Sequence, residues 1–128
     1  MTSKTICMGS VLDNVKYVDL FIFYGNTLPY VVEVDYMGTN PSRLQDAEFQ
    51  EFLKRTTGSE MYEYTHTNAV TASLCIKNWL VNHSIDNVAF DTKECHDNFQ
   101  YFKRHFLENC NLGKDKKGNI FEISWQLN

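Results

Sequence analysis

Sixteen acidic residues, four histidines and four cysteines are among the side chains here that can transfer protons, hold a metal or attack a substrate. Asp19 lies on one extended run and Glu33-Val34-Asp35 on the next. This comes near a nuclease pattern of Asp followed by Glu-x-Lys, in which carboxylates hold a metal and the lysine orients water. Asp35 stands where the lysine is needed. Alternation of Glu33 and Asp35 with Val32, Val34 and Tyr36 is the pattern of a strand with one solvated face. A ribonuclease H-type site needs carboxylates converging on two metal ions, the first from the middle of the first strand. That strand reads Thr5-Ile6-Cys7-Met8-Gly9-Ser10-Val11, with no acid before Asp13. Asp91 ends a later strand, without an obvious carboxylate partner. His96 and His105 are nine residues apart, roughly 180° around a helix at about 100° per residue, and cannot share a ligand. His66 and His83 are each followed directly by a hydroxyl residue, which is not the spacing of a two-histidine phosphoesterase. The chain has no Gly-rich phosphate loop and no Ser or Cys nucleophile signature. Cys7, Cys75, Cys95 and Cys110 match no CxxC or zinc spacing and read as small buried hydrophobes in a reducing compartment. The expectation is a protein that is not an enzyme, with no catalytic residue, metal, cofactor or small-molecule substrate.

Binding chemistry is the alternative, and two residue types supply it. Lys93, Lys103, Arg104, Lys114, Lys116 and Lys117 lie on a predicted helix or in the turn after it. Helix C-termini favour cations in any case, but these side chains can also contact RNA phosphates. Tyr17, Tyr24, Tyr30, Tyr36, Tyr62 and Tyr64 exceed what a domain of this size needs inside. Tyrosine carries apolar area and a polar tip, which suits interfaces. Tyr17, Tyr30, Tyr62 and Tyr64 are therefore expected to dock onto a protein partner.

The elements that position these residues follow from hydrophobic period and punctuation. Thr5–Val11, Tyr17–Tyr24 and Tyr30–Met37 read as strands, the last two around a Gly25-Asn26 turn. Asn40-Pro41 breaks the chain, Ser42 with Gln45 forms a capping box, and a helix runs over 43–57 to Gly58. Met61–Thr65 is a strand, 68–82 a helix capped by Asn68 or Thr67, and Asp86–Asp91 a short buried strand. Asp91 caps a helix over 93–111. Its Cys95, Phe99, Phe102, Phe106 and Cys110 recur every three or four residues. A last strand alternates Phe121, Ile123, Trp125 and Leu127 with polar residues. The order predicts an α/β (α+β layered) fold: a three-strand antiparallel meander, then alternating helices and strands, with ribonuclease H-like or ribosomal-protein-like topology.

A chain of 128 residues with 43% hydrophobic and 14% aromatic residues is one domain with a core to bury. A net charge of −4 argues against a free-standing, strongly basic nucleic-acid binder. No apolar run is long enough to cross a bilayer, and the first residues carry no signal-peptide core. No membrane partner is expected.

The run Thr67-Asn68-Ala69, the helix through Trp79, the strand Ser84-Ile85-Asp86-Asn87-Val88-Ala89-Phe90-Asp91 and the helix to Leu107-Glu108-Asn109-Cys110-Asn111-Leu112 resemble the large-subunit ribosomal protein family that binds 5S rRNA. The hairpin Tyr17–Met37 and the long segment before Tyr64 look like that family's mitochondrial branch. The matching stretch Thr92–Asn98 lacks the family's basic, glycine-containing loop, and the basic N-terminal arm is missing. Both departures suit an organellar ribosome in which protein contacts have replaced RNA contacts. The resemblance implies a structural component of a large ribosomal subunit of organellar type, in the mitochondrion, with minor rRNA contacts. The alternative is a small acidic inhibitor or immunity-type protein, otherwise cytoplasmic, that binds one protein target.

Overall fold

Three runs of β-branched and aromatic residues open the chain and pair side by side. A computed structural model describes residues 5–13, 17–25, 27–107, 112–114, 117–118 and 120–127. Strands β1 (Thr5–Asp13), β2 (Val18–Gly25) and β3 (Tyr30–Asp35) form the antiparallel meander, with Gly9 opposite Ile22 and Phe21 opposite Val32. Helix α1 (Ala47–Thr57), strand β4 (Glu63–Thr67), helix α2 (Ala69–Asn82), strand β5 (Asn87–Phe90) and helix α3 (Lys93–Phe106) follow. Three short strands complete the chain: β6 (Leu112–Lys114), β7 (Ile120–Glu122) and β8 (Ser124–Leu127). The main sheet has six strands in the order β4-β3-β2-β1-β5-β8, while β6 and β7 pair separately. β4 joins β3, β5 joins β1 and β8 joins β5, all in parallel. The fold is the layered α/β arrangement of meander and alternation that the residue pattern predicts.

Several boundaries differ from the pattern, each for a local reason. α1 starts at Ala47, not at 43, because Asp46 is the cap and accepts from the Glu48 amide. The Ser42 hydroxyl instead accepts from the Leu44 amide in a preceding turn. Gly58 closes α1 as expected, in the left-handed conformation at φ 73° with its amide on the Lys54 carbonyl. Asn68 caps α2 by accepting from Thr71. Thr92, not Asp91, caps α3 by accepting from Cys95, because Asp91 is still held at the strand end by its amide on the Met8 carbonyl of β1 and the helix starts only at Lys93. α3 ends at Phe106 with Leu107 as its cap. Cys110 lies outside the described residues, as does Asn26 of the first turn. The last strand is split at Ile123, which is buried between β7 and β8.

The sheet is covered on both faces. Ile6, Met8, Phe21, Phe23 and Val32 pack against Ala72, Ile76 and Trp79 of α2 and Cys95, Phe99 and Phe102 of α3. Phe21 meets Phe99 edge-on at 5.0 Å and Phe102 at 5.2 Å. Leu20, Ile22 and Val31, which point the other way by strand alternation, lie under Phe49 and Leu53 of α1. The expected solvated face of β3 is therefore not found. Glu33 and Asp35 are 1% and 2% exposed, because α1 and the segment leading into it lie on that side. Among the described residues no helix is long and apolar enough to cross a membrane.

Candidate protein-docking groove

Two carboxylates buried on one strand are costly unless they are paired and hydrogen-bonded. Glu33 accepts from the Arg43 guanidinium and from the Tyr64 hydroxyl. Asp35 accepts from the Gly38 amide at 3.0 Å, the Asn40 amide at 2.8 Å and the Asn40 side chain at 3.0 Å. The His66 Nε2 on β4 lies 3.7 Å from Glu33 and 3.8 Å from Asp35. Burial pushes the Asp35 pKa up, but the bonds from Asn40 and Gly38, helped by His66, outweigh it and hold the carboxyl below its ordinary value. Burial and then the bond to Glu33 push the Tyr64 phenol well up. The Arg43 guanidinium also lies 4.8 Å above the Phe49 ring. These contacts fasten the lead-in of α1 to β3 and β4. Strand alternation alone reads Glu33 and Asp35 as wet, and Arg43 and His66 carry no signal by their spacing.

Beside this anchor an open groove of about 850 Å³ runs between α1 and the lead-in to β4. Ala47, Gln50, Glu51 and Lys54 form one wall, at the spacing of a single helix face. Glu60, Met61, Tyr62 and Tyr64 form the other, with Leu28 at the β2–β3 turn. Met61 is 71% exposed and Leu28 40%. Lys54 Nζ reaches Glu60 across the groove at 2.8 Å. β4 is the terminal strand of the sheet. The Glu63 amide points inward, to the Pro29 carbonyl at 2.8 Å. By alternation the backbone groups of Tyr64 and His66 point outward, away from β3.

Tyr62 and Tyr64 are thus brought together at the groove, both half-buried. Tyr17 is exposed at the opposite end of the meander, where its carbonyl accepts from the Tyr36 amide. Tyr30, expected at a protein interface, lies in the core instead. It is 5% exposed, stacks on Trp79 at 5.3 Å and bonds Thr65 at 2.9 Å, and burial pushes its phenol up to about 12. Its place in step with Val32 and Val34 puts it on the helix-covered face. Lys93 bonds Asp97 at 2.7 Å, one turn on along α3. Lys103 lies 4.9 Å over the Trp125 ring. Lys103 and Arg104 share a second, shallower groove with Asp97 and Glu122 in its walls. Lys117 is exposed, while Lys116 and the Lys114 side chain lie outside what the structure describes.

The carboxylates considered for hydrolysis are separated by the sheet. Asp19 pairs with Val34 and shares its face, opposite to that of Glu33 and Asp35. It accepts from the Tyr36 hydroxyl at 2.6 Å. At the junction of β1 and β5 the position of Gly9 is filled, since a Cβ there would lie 2.8 Å from Asp91 Oδ2. Among the described residues no group of three or more acidic, His or Cys side chains could hold a metal ion. No protein-family model, curated protein or solved structure matches this chain.

Proposed function

We propose that this chain is a docking domain, not a catalyst, and that it joins a larger assembly through the α1–β4 groove and the edge of β4. The observation that carries this reading is a terminal strand with outward backbone groups beside exposed Met61 and Leu28. Exposed strand edges and apolar surface invite a partner. The resemblance of the second half makes a large ribosomal subunit of organellar type, and hence the mitochondrion, the leading assembly. Lys103 and Arg104 would add minor, salt-sensitive contacts to rRNA. Glu51 and Glu60, on opposite walls of the groove, favour a second reading, an acidic antagonist of one basic protein.

Sedimentation of the tagged full chain from cells tests both. Co-migration with large particles, lost in Leu28→Ser/Met61→Ser, supports the first. Co-purification with one protein target, away from particles and equally sensitive to that variant, supports the second. A chain that stays monomeric and partnerless would remove the docking reading.

A further inference from the structure

We infer that the β4 edge takes an extended, basic segment of a partner protein, which adds to the main sheet as a further strand. The inference deepens the docking reading and rests on it. Strand addition needs backbone groups pointing outward, and Tyr64 and His66 supply them because the Glu63 amide is turned inward to Pro29. β4 is five residues long, which sets the length of the paired segment. The floor beside it, Leu28, Met61 and Tyr62, takes apolar side chains from that segment.

Charge decides the rest. Glu51 and Glu60 line the groove against Lys54, and Glu48 and Arg55 stand exposed beside Glu51 on α1. Lys54 is already paired with Glu60. The surplus is acidic, as is the chain at −4, so lysine or arginine flanking an apolar centre is the complementary pattern. An acidic segment or a nucleic-acid backbone would meet like charge.

The test uses the full chain and a fluorescein-labelled peptide, Lys-Arg-Val-Leu-Val-Arg-Lys, followed by fluorescence anisotropy. Saturable binding that weakens with salt is expected, with none for the same peptide carrying Glu at each basic position. N-methylation of alternate amides removes the donors along one edge of the peptide. It should abolish binding when it falls on the paired edge and leave it intact on the other. Glu51→Lys/Glu60→Lys should weaken binding about tenfold, and Glu51→Gln serves if the double variant loses its fold. Binding indifferent to N-methylation on either edge, or equal for the Glu peptide or a single-stranded RNA oligonucleotide, would overturn the inference. If the basic peptide fails to bind while the chain still joins its assembly through Leu28 and Met61, strand capture is wrong and docking stands. If the chain also finds no partner in cells, both are wrong.

Discussion

Arg43 sits where removal of one side chain leaves a buried charge without its counterpart. Glu33 is 1% exposed and accepts from Arg43 and Tyr64. Arg43→Ala should therefore destabilise the fold by roughly 1–3 kcal/mol in chemical denaturation, the cost of an unsatisfied buried acceptor. Unchanged stability would mean that water or His66 takes over the role. Two aspartates make opposite contributions to acid stability. Burial raises the Asp19 pKa above its ordinary 3.8, despite the hydrogen bond from Tyr36. Between the ordinary and the raised value the folded state then binds more protons than the unfolded one, so this residue costs stability as pH rises through that window. Asp35 is lowered, so it adds stability above 3.8 that is lost as pH falls through its folded pKa. Asp19→Asn, which keeps an acceptor for Tyr36, should stabilise the protein at neutral pH. The gain should shrink toward acid as the wild-type Asp19 takes up its proton. Thermal melts across the acid range read this directly, and a gain independent of pH would contradict it.

Among the elements, α3 depends most on one stripe. Phe99 and Phe102 are fully buried against Phe21, and Cys95 precedes them on the same face. Phe102→Ala should cost roughly 3–5 kcal/mol, from lost transfer energy and the cavity left behind. A stable Phe102→Asp variant would mean that this face is misplaced. α2 depends on its cap as well as on its apolar face. Asn68 is exposed and bonds the Thr71 amide at 2.9 Å. Asn68→Ala should cost about 1 kcal/mol, with Asn68→Ser restoring most of it; failure of Ser to rescue would deny the cap its role.

At the scale of the whole molecule, the two edges of the six-strand sheet differ. β8 is four residues long and lies beside a groove in which Lys103 covers Trp125. β4 stands beside the larger groove with Leu28 and Met61 exposed. Substitutions at Leu28 and Met61 should leave the melting temperature nearly unchanged, because neither is in the core, while abolishing association. Tyr64 cannot report on docking in the same way, since it is bonded to buried Glu33. Tyr62→Ala/Tyr64→Ala should lower stability as well as association. A double variant as stable as the wild type would contradict the anchoring role of Tyr64.

The local code of this chain is strong, and it determined most of the elements by itself, β6 being an exception. Thr5–Val11, the hairpin, the stripe of Phe99, Phe102 and Phe106, the cap at Asn68 and the stop at Gly58 rest on period and turn chemistry, which neighbouring residues decide. The Asp46 and Thr92 caps show where that code is ambiguous, because each has another capping residue nearby and only the path of the chain chooses. What lies against a strand is not local. Alternating Glu33 and Asp35 look solvated until α1 crosses that face, and Tyr30 looks like an interface residue until Trp79 stacks on it. Asp19 and Glu33 look like a carboxylate pair until the register sends them to opposite sides of the sheet. The groove has no sequence signature at all. Leu28, Gln50 and Met61 come from three separate segments, and only the parallel placement of β4 against β3, with α1 packed beside it, makes them neighbours.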